Sequence, residues 1–245
     1  MIANIGGVQL VHGYGLEETK KAVEMIEADA LAIHLNALQE AIQPEGQTDF
    51  KGVLARICEV ASQLNKPVIV KETGAGMACE EAKRLEALGV GGIDVSGVGG
   101  TSFAAVEHYR ARKRENSCQR SLGDTFWDWG IPTATSVIEV AQSVNIPVIA
   151  SGGIRNGVDI AKALALEASL ASLSQPVLEA SVQGVKETRK AFSLLMEELR
   201  NTMFLTGAQS VRALQKKTLV ITGKTAEWLR ARGFRTETFA RKGSD

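Results

Sequence analysis

The sequence predicts an α/β fold built on a parallel sheet, and three observations predict it. Short runs rich in Val and Ile alternate with amphipathic helical stretches, and strands separated by helices pair in parallel through right-handed crossovers. Several of these runs end in polar or glycine-rich segments, HLNALQE, VSGVGGTS and ASGGIRNG, which is where α/β folds place their functional groups. The 245 residues, 44% hydrophobic and 23% charged, suit one large globular domain, and no Pro/Gly/Ser-rich linker divides them.

In chain order, residues 2–5 open as a strand and residues 16–28 read as a helix with Ala22, Val23 and Ile26 on one side. Residues 31–36 form the second strand. Side chains alternate along a strand, so Leu31, Ile33 and Leu35 share one face while Ala32, His34 and Asn36 share the other, with Gln39 and Glu40 following in the connecting loop. A helix is expected near 52–64, a strand at 67–72, a helix at 80–88 and a fourth strand at 92–97. The next crossover, 101–144, is irregular: a helix rich in Arg and Lys, the loop SLGDTFWDWGIPT, and another helix. An insertion of that length reads as a lid or binding loop. Strands follow at 147–151 and 170–174. A long helix at 185–204 then carries Phe192, Leu195, Met196 and Leu199 on one stripe, with shorter helices at 208–214 and 225–232 and a charged tail after Phe234 expected to fray.

Lys+Arg and Asp+Glu both number 28, so nothing electrostatic points to nucleic acid or an anionic membrane, and an anionic ligand must be met by a local site. Cys58, Cys79 and Cys118 are odd in number and lack metal-ligand spacing, which predicts free thiols in a reducing, cytoplasmic compartment. No stretch approaches the roughly 18 consecutive apolar residues of a spanning helix, and the N-terminus has no secretory pattern.

ASGGIRNG (150–157) follows a strand and precedes a helix, where bare amides and a helix N-terminus can hold a phosphate. VSGVGGTS (95–102) is a similar loop, and LSQP lies at the next strand end. Tight turns need glycine without any ligand, so each loop also has a purely structural reading. Taken singly, His34 reads as a satisfied structural group, Glu40 as a solvated carboxylate and Lys71 as a strand-end lysine. Asn4, Ser96 and Thr101 read as turn or cap residues. His12 and His108 lie outside any such constellation.

Together, HLNALQE with QPEG, PVIVKETGAG, IDVSGVGGTS, DWGIPT and VIASGGIRNG, in this order and spacing, closely resemble type 2 isopentenyl diphosphate isomerase, the FMN-dependent enzyme of isoprenoid biosynthesis. The resemblance implies a TIM (β/α)8 barrel of the FMN-binding type, forming tetramers or octamers. It implies conversion of isopentenyl diphosphate to dimethylallyl diphosphate with reduced FMN and Mg²⁺, NAD(P)H serving only to reduce the flavin. It places Gln39 beside the reacting substrate, Glu40 on Mg²⁺, and His34 and Asn36 in the substrate pocket. Asn4, Lys71, Ser96, Thr101, Gly153, Ile154, Arg155, Ser174 and Gln175 fall on FMN. Ala37 departs from a proline frequent in the family, and Glu167-Ala168-Ser169 from a Gly-Ala-Asp turn. Met1 aligns with the third barrel strand, so residues 1–245 are expected to be one domain holding strands three to eight plus C-terminal helices, an N-terminally truncated isomerase. The alternatives are a non-catalytic fragment or another FMN-dependent barrel oxidoreductase, which would need a catalytic His/Arg pair or a nucleophilic cysteine in a loop.

Overall fold

A computed structural model describes residues 1–242. Its centre is one six-stranded sheet whose strands follow chain order: β1 (Ile2–Gly6), β2 (Ala30–Leu35), β3 (Val68–Glu72), β4 (Gly92–Asp94), β5 (Val148–Ala150) and β6 (Leu170–Ala171). Every pairing is parallel. Sequential order with parallel pairing is the arrangement of an αβ barrel wall, and β1 and β6 each have one strand neighbour among the described residues.

The helices are α1 (Leu16–Glu24), α2 (Ala37–Ile42), α3 (Val53–Gln63), α4 (Cys79–Ala87), α5 (Phe103–Lys113), α6 (Ser117–Thr125), α7 (Thr133–Ala141), α8 (Gly157–Ala165), α9 (Gln175–Gln183), α10 (Val185–Leu205), α11 (Val211–Gln215), α12 (Gly223–Ala231) and α13 (Glu237–Ala240). One row across the sheet, Ile5, Ile33, Val70, Ile93 and Val148, faces Ile57, Leu85 and Ile138 of these helices and forms the core. The next row, Gly6, His34, Lys71 and Asp94, lies on the opposite face, so the alternation expected for β2 extends across four strands. One face is thus a dry core and the other carries polar chemistry.

Several expectations are corrected. Gln39 and Glu40 lie on α2, not in a loop: Asn36 is the helix N-cap and Ala37 its first residue, a position where proline would also be at home. The first helix stops at Glu24, and Glu27 takes φ 50 in the turn beyond. The fourth and sixth strands are shorter than read: β4 ends at Asp94, just before Ser96 takes φ 35, and β6 ends at Ala171. Part of the expected loop after α5 is the helix α6, and α9 is an additional helix. The stretch after Phe234 does not fray: α13 inserts Phe239, 1% exposed, into the core, while residues 243–245 lie outside the described range. The three cysteines are free thiols, as expected.

Candidate active site

Beyond the C-terminal ends of β3 to β6 lies a cavity of about 620 Å³, and eight of the nine residues expected to meet a flavin line it: Lys71, Ser96, Thr101, Gly153, Ile154, Arg155, Ser174 and Gln175. The ninth, Asn4, is on β1 away from this lining. Its amide nitrogen lies 3.2 Å from His34 Nδ1; since that nitrogen can only donate, Nδ1 accepts and the ring proton sits on Nε2. Burial, then the nearby Lys71, lowers the His34 pKa, with Glu40 opposing, so the ring is held neutral.

The two glycine loops touch, which explains their composition. A Cβ on Gly152 (φ +102) would lie 2.1 Å from the Gly97 carbonyl oxygen, and one on Gly153 (φ +80) 2.1 Å from that of Gly99. Neither position admits a side chain. Arg155 clasps the pair, donating to the Gly153 carbonyl at 2.7 Å and the Gly99 carbonyl at 2.8 Å, so its guanidinium braces the cradle. The first turn of α8 is closed by side chains: Asn156 accepts from the Asp159 amide and Asp159 from the Arg155 amide. By contrast, α9 starts at the cavity wall with Ser174 and Gln175, no side-chain cap and no acidic residue in its first turn. That uncapped positive helix end is the better seat for a phosphate. Ser174 and Gln175 were expected at this site from the sequence; the helix that they begin was not.

Next to this cavity is a pocket of about 210 Å³ lined by Gln39, Glu72, Trp127 and Trp129; the two share Thr73, Gly74, Gly100, Thr101 and Phe103. Its roof comes from the irregular crossover: Ser102 Oγ donates to the Trp127 carbonyl at 2.6 Å, and the Phe126 and Trp129 rings meet edge-on at 5.5 Å. Asn36 aligns α2 by donating to Gln39 Oε1 at 3.3 Å and Glu40 Oε1 at 2.7 Å. That bond engages the Gln39 carbonyl oxygen, and no protein acceptor among the described residues takes its amide N–H groups. Glu40 is buried, its Oε2 accepting from Gln43 Nε2 and the Gln47 amide. Asn36 Oδ1, buried beside this carboxylate, has no protein partner among the described residues. His34, Asn36 and Glu40 line neither cavity and stand behind Gln39 and Lys71.

Two carboxyls that the sequence reading passed over also belong here. Glu72 shapes the loop after β3 by accepting from the Thr73 and Ala75 amides, and burial pushes its pKa up to about 7 against those hydrogen bonds. Asp94, buried in the cavity wall, accepts from Ser151 Oγ and the Ser96 amide; burial raises its pKa, with Ser151, Lys71 and Ser96 opposing.

The fit of the expected groups can be judged from these residues. The cradle of the two glycine loops, the uncapped α9 and the cation of Lys71 match a phosphate joined to a ring that gains negative charge on reduction. At Glu40 the oxygen chemistry is that of a Mg²⁺ ligand and Asn36 Oδ1 is unpartnered, but both carboxylate oxygens already accept protein hydrogen bonds and neither residue lines a cavity, so an ion there must displace Gln43 and Gln47.

Residues 16–221 match the model of a family described as FMN-dependent dehydrogenase. The isopentenyl-diphosphate delta-isomerase of Methanothermobacter thermautotrophicus is 51% identical over 242 residues, covering 99% of this chain and 66% of that protein. The enzyme of the same name from Thermococcus onnurineus is 49% identical over 237 residues, covering 95% of this chain and 63% of its own. This chain therefore spans just under two thirds of the length of these relatives. Among solved structures, a mandelate oxidase variant with an FMN adduct superposes with TM-score 0.57 at 25% identity, covering 82% of this chain and 57% of that one. A lactate oxidase from Pediococcus acidilactici does so with TM-score 0.57 at 23% identity, covering 89% and 58%, and shows the fold alone.

Proposed function

The chain belongs to the FMN-dependent dehydrogenase family, and from that premise we propose that its site is an isopentenyl diphosphate isomerase site, converting that substrate to dimethylallyl diphosphate. The observation that carries the reading is the shared wall of the two cavities, which sets Gln39 against the space above Lys71. Reduced FMN, when bound, supplies the proton-transferring group that an isomerisation without net redox change requires. Lys71 would offset the negative charge of the reduced ring, Ser96 and Thr101 would contact the cofactor, and Gly153, Ile154, Ser174 and Gln175 would hold its phosphate. Arg155 holds that cradle shut. Gln39 would orient the isoprenoid from the wall of the smaller pocket, and Glu40 would hold Mg²⁺ by exchanging its bonds from Gln43 and Gln47 for the ion. His34, neutral, and Asn4 shape the wall behind.

The oxidoreductase reading is weaker on this geometry, since neither cavity is lined by a histidine or a cysteine. Mg²⁺, NAD(P)H as flavin reductant, a cytoplasmic location and a homotetramer or homo-octamer rest on the resemblance. Exposed apolar side chains, among them Val182, Phe204 and Leu205 at 82% each, support self-association, and no helix among the described residues is long and apolar enough to cross a membrane. We place the six strands as the third to eighth of a (β/α)8 barrel, which two further strands between β6 and β1 would close.

The test is to express the chain with the part of the Methanothermobacter relative that it does not match, then assay isopentenyl diphosphate with reduced FMN and Mg²⁺. Turnover is expected, and Gln39→Ala should cut it by on the order of a hundredfold while FMN affinity stays unchanged. Full activity in that variant would remove Gln39 from the chemistry.

A further inference from the structure

We infer that Asp94 is a positioning residue that counterbalances Lys71 and so sets the charge the cavity wall presents to a bound flavin. The inference rests on the flavin reading of the same site. Lys71 and Asp94 are register partners across β3 and β4, in the row that begins Gly6, His34, and both line the 620 Å³ cavity. Partners on neighbouring parallel strands project from the same face, so the wall carries a cation and a carboxylate side by side. They are not a contact ion pair: the Lys71 ammonium donates to the Glu72 carbonyl at 2.7 Å, and no carboxylate of the described residues pairs with it. The carboxylate acts on the ammonium, and on whatever lies over both, through space.

Asp94 is built to stay in place. It is 8% exposed, and Ser151 Oγ from the end of β5 and the Ser96 amide both donate to its Oδ1. Oδ2 has no protein donor among the described residues. A side chain needed only to tie the 94–97 turn to β5 could be an asparagine or a serine; a buried carboxylate costs desolvation, and here that cost is incurred in the one wall that also carries Lys71. The other charged or titratable groups near this wall are Arg155, whose guanidinium is tied to the Gly153 and Gly99 carbonyls, His34, which is neutral, and Glu72, whose carboxylate turns back onto its own loop. Lys71 therefore favours negative charge on the reduced ring and Asp94 opposes it, holding the reduced cofactor only modestly stabilised over the oxidised one.

The test is the ratio of affinities for oxidised and reduced FMN, measured by anaerobic titration on the flavin-binding protein and on variants. Asp94→Asn keeps the acceptor for Ser151 and Ser96 but removes the charge. It should tighten reduced relative to oxidised FMN by about tenfold, a positive shift of about 30 mV for the two-electron couple. Asp94→Glu should keep the wild-type ratio, Lys71→Gln should move it the opposite way, and the double variant Asp94→Asn/Lys71→Gln should return it. If Asp94→Asn does not fold, Asp94→Ser serves with the same expected direction. An unchanged ratio in the charge-removing variant would leave Asp94 a structural tie and overturn the inference alone. Failure of the wild-type protein to bind FMN in either state would overturn the flavin reading, and the inference with it.

Discussion

Glu72 in the smaller pocket and Glu167 in the turn that enters β6 show how single residues bear a local cost. The Glu72 carboxyl has a folded pKa of about 7, above its ordinary 4.5, with burial as the main cause. The folded state therefore binds the proton more tightly than the unfolded state does. Its contribution is fully present below about pH 4.5 and is lost as pH rises through 7, a difference of up to roughly 3 kcal/mol. Glu72→Gln, which still accepts from the Thr73 and Ala75 amides, should flatten the fall in denaturation free energy between pH 5 and 8; an unaltered slope would mean that another group causes it. Glu167 sits at φ 79 in the turn into β6, a conformation that costs a side chain about 1 kcal/mol or more. Its contact with Lys242 at 2.6 Å returns part of that cost. Glu167→Gly should raise the urea midpoint by an amount equivalent to roughly 0.5 kcal/mol, and a fall would show that the ion pair outweighs the strain.

At the scale of elements, the C-terminal helices are latched to the barrel wall by Arg232. Its guanidinium donates to Glu139 of α7, which is fully buried, and to Glu80 of α4, and Trp228 Nε1 adds a bond to Glu139 at 2.8 Å. Burial alone would raise the Glu139 pKa; Arg232, Trp228 and the Cys79 amide hold it below the ordinary range. Arg232→Ala would leave that charge buried and unpaired, so we expect a loss of about 3 kcal/mol in chemical denaturation, and Glu139→Gln in the same background should recover part of it. A loss below 1 kcal/mol would mean that α12 is held by packing alone. The reading of a frayed tail after Phe234 overlooked Phe239, because a single aromatic among charges has no periodicity to betray burial. The α9 helix was hidden for a related reason: none of its residues is buried, so no apolar stripe marks it. The strands were legible, since Leu31, Ile33, Val68, Val70 and Ile93 alternate with the side chains that face the site. Eight of the residues that line the larger cavity were legible from motif order, whereas Asp94 and Glu72 were not, because a carboxylate in an apolar strand looks the same whether it is a wall or a tie.

On the scale of the whole molecule, the sheet ends at β1 and β6 with apolar side chains uncovered on the face that carries Lys71. Ile2 on β1 is 52% exposed and Leu170 on β6 59%. An open wall of this kind exposes backbone donors and acceptors along both edges as well. By itself the chain should form mixed assemblies in size-exclusion chromatography with light scattering, and the complementing segment of a relative should convert these to one discrete species. A stable, monodisperse monomer at high concentration would contradict the barrel-closure account. In the same account, a misplacement of strand ends by about 1 Å costs on the order of a hundredfold in rate, so activity should appear only with closure.

The most direct measurement of the central claim follows isopentenyl diphosphate in deuterated water with the closed assembly, reduced FMN and Mg²⁺, reading the product by NMR and the flavin by absorbance. The account predicts dimethylallyl diphosphate that carries solvent deuterium while the flavin stays reduced over many turnovers, with the deuterated product formed on the order of a hundredfold more slowly in Gln39→Ala and the flavin still reduced. Oxidation of one flavin per product, or product free of deuterium, would contradict an isomerisation by proton transfer at this site.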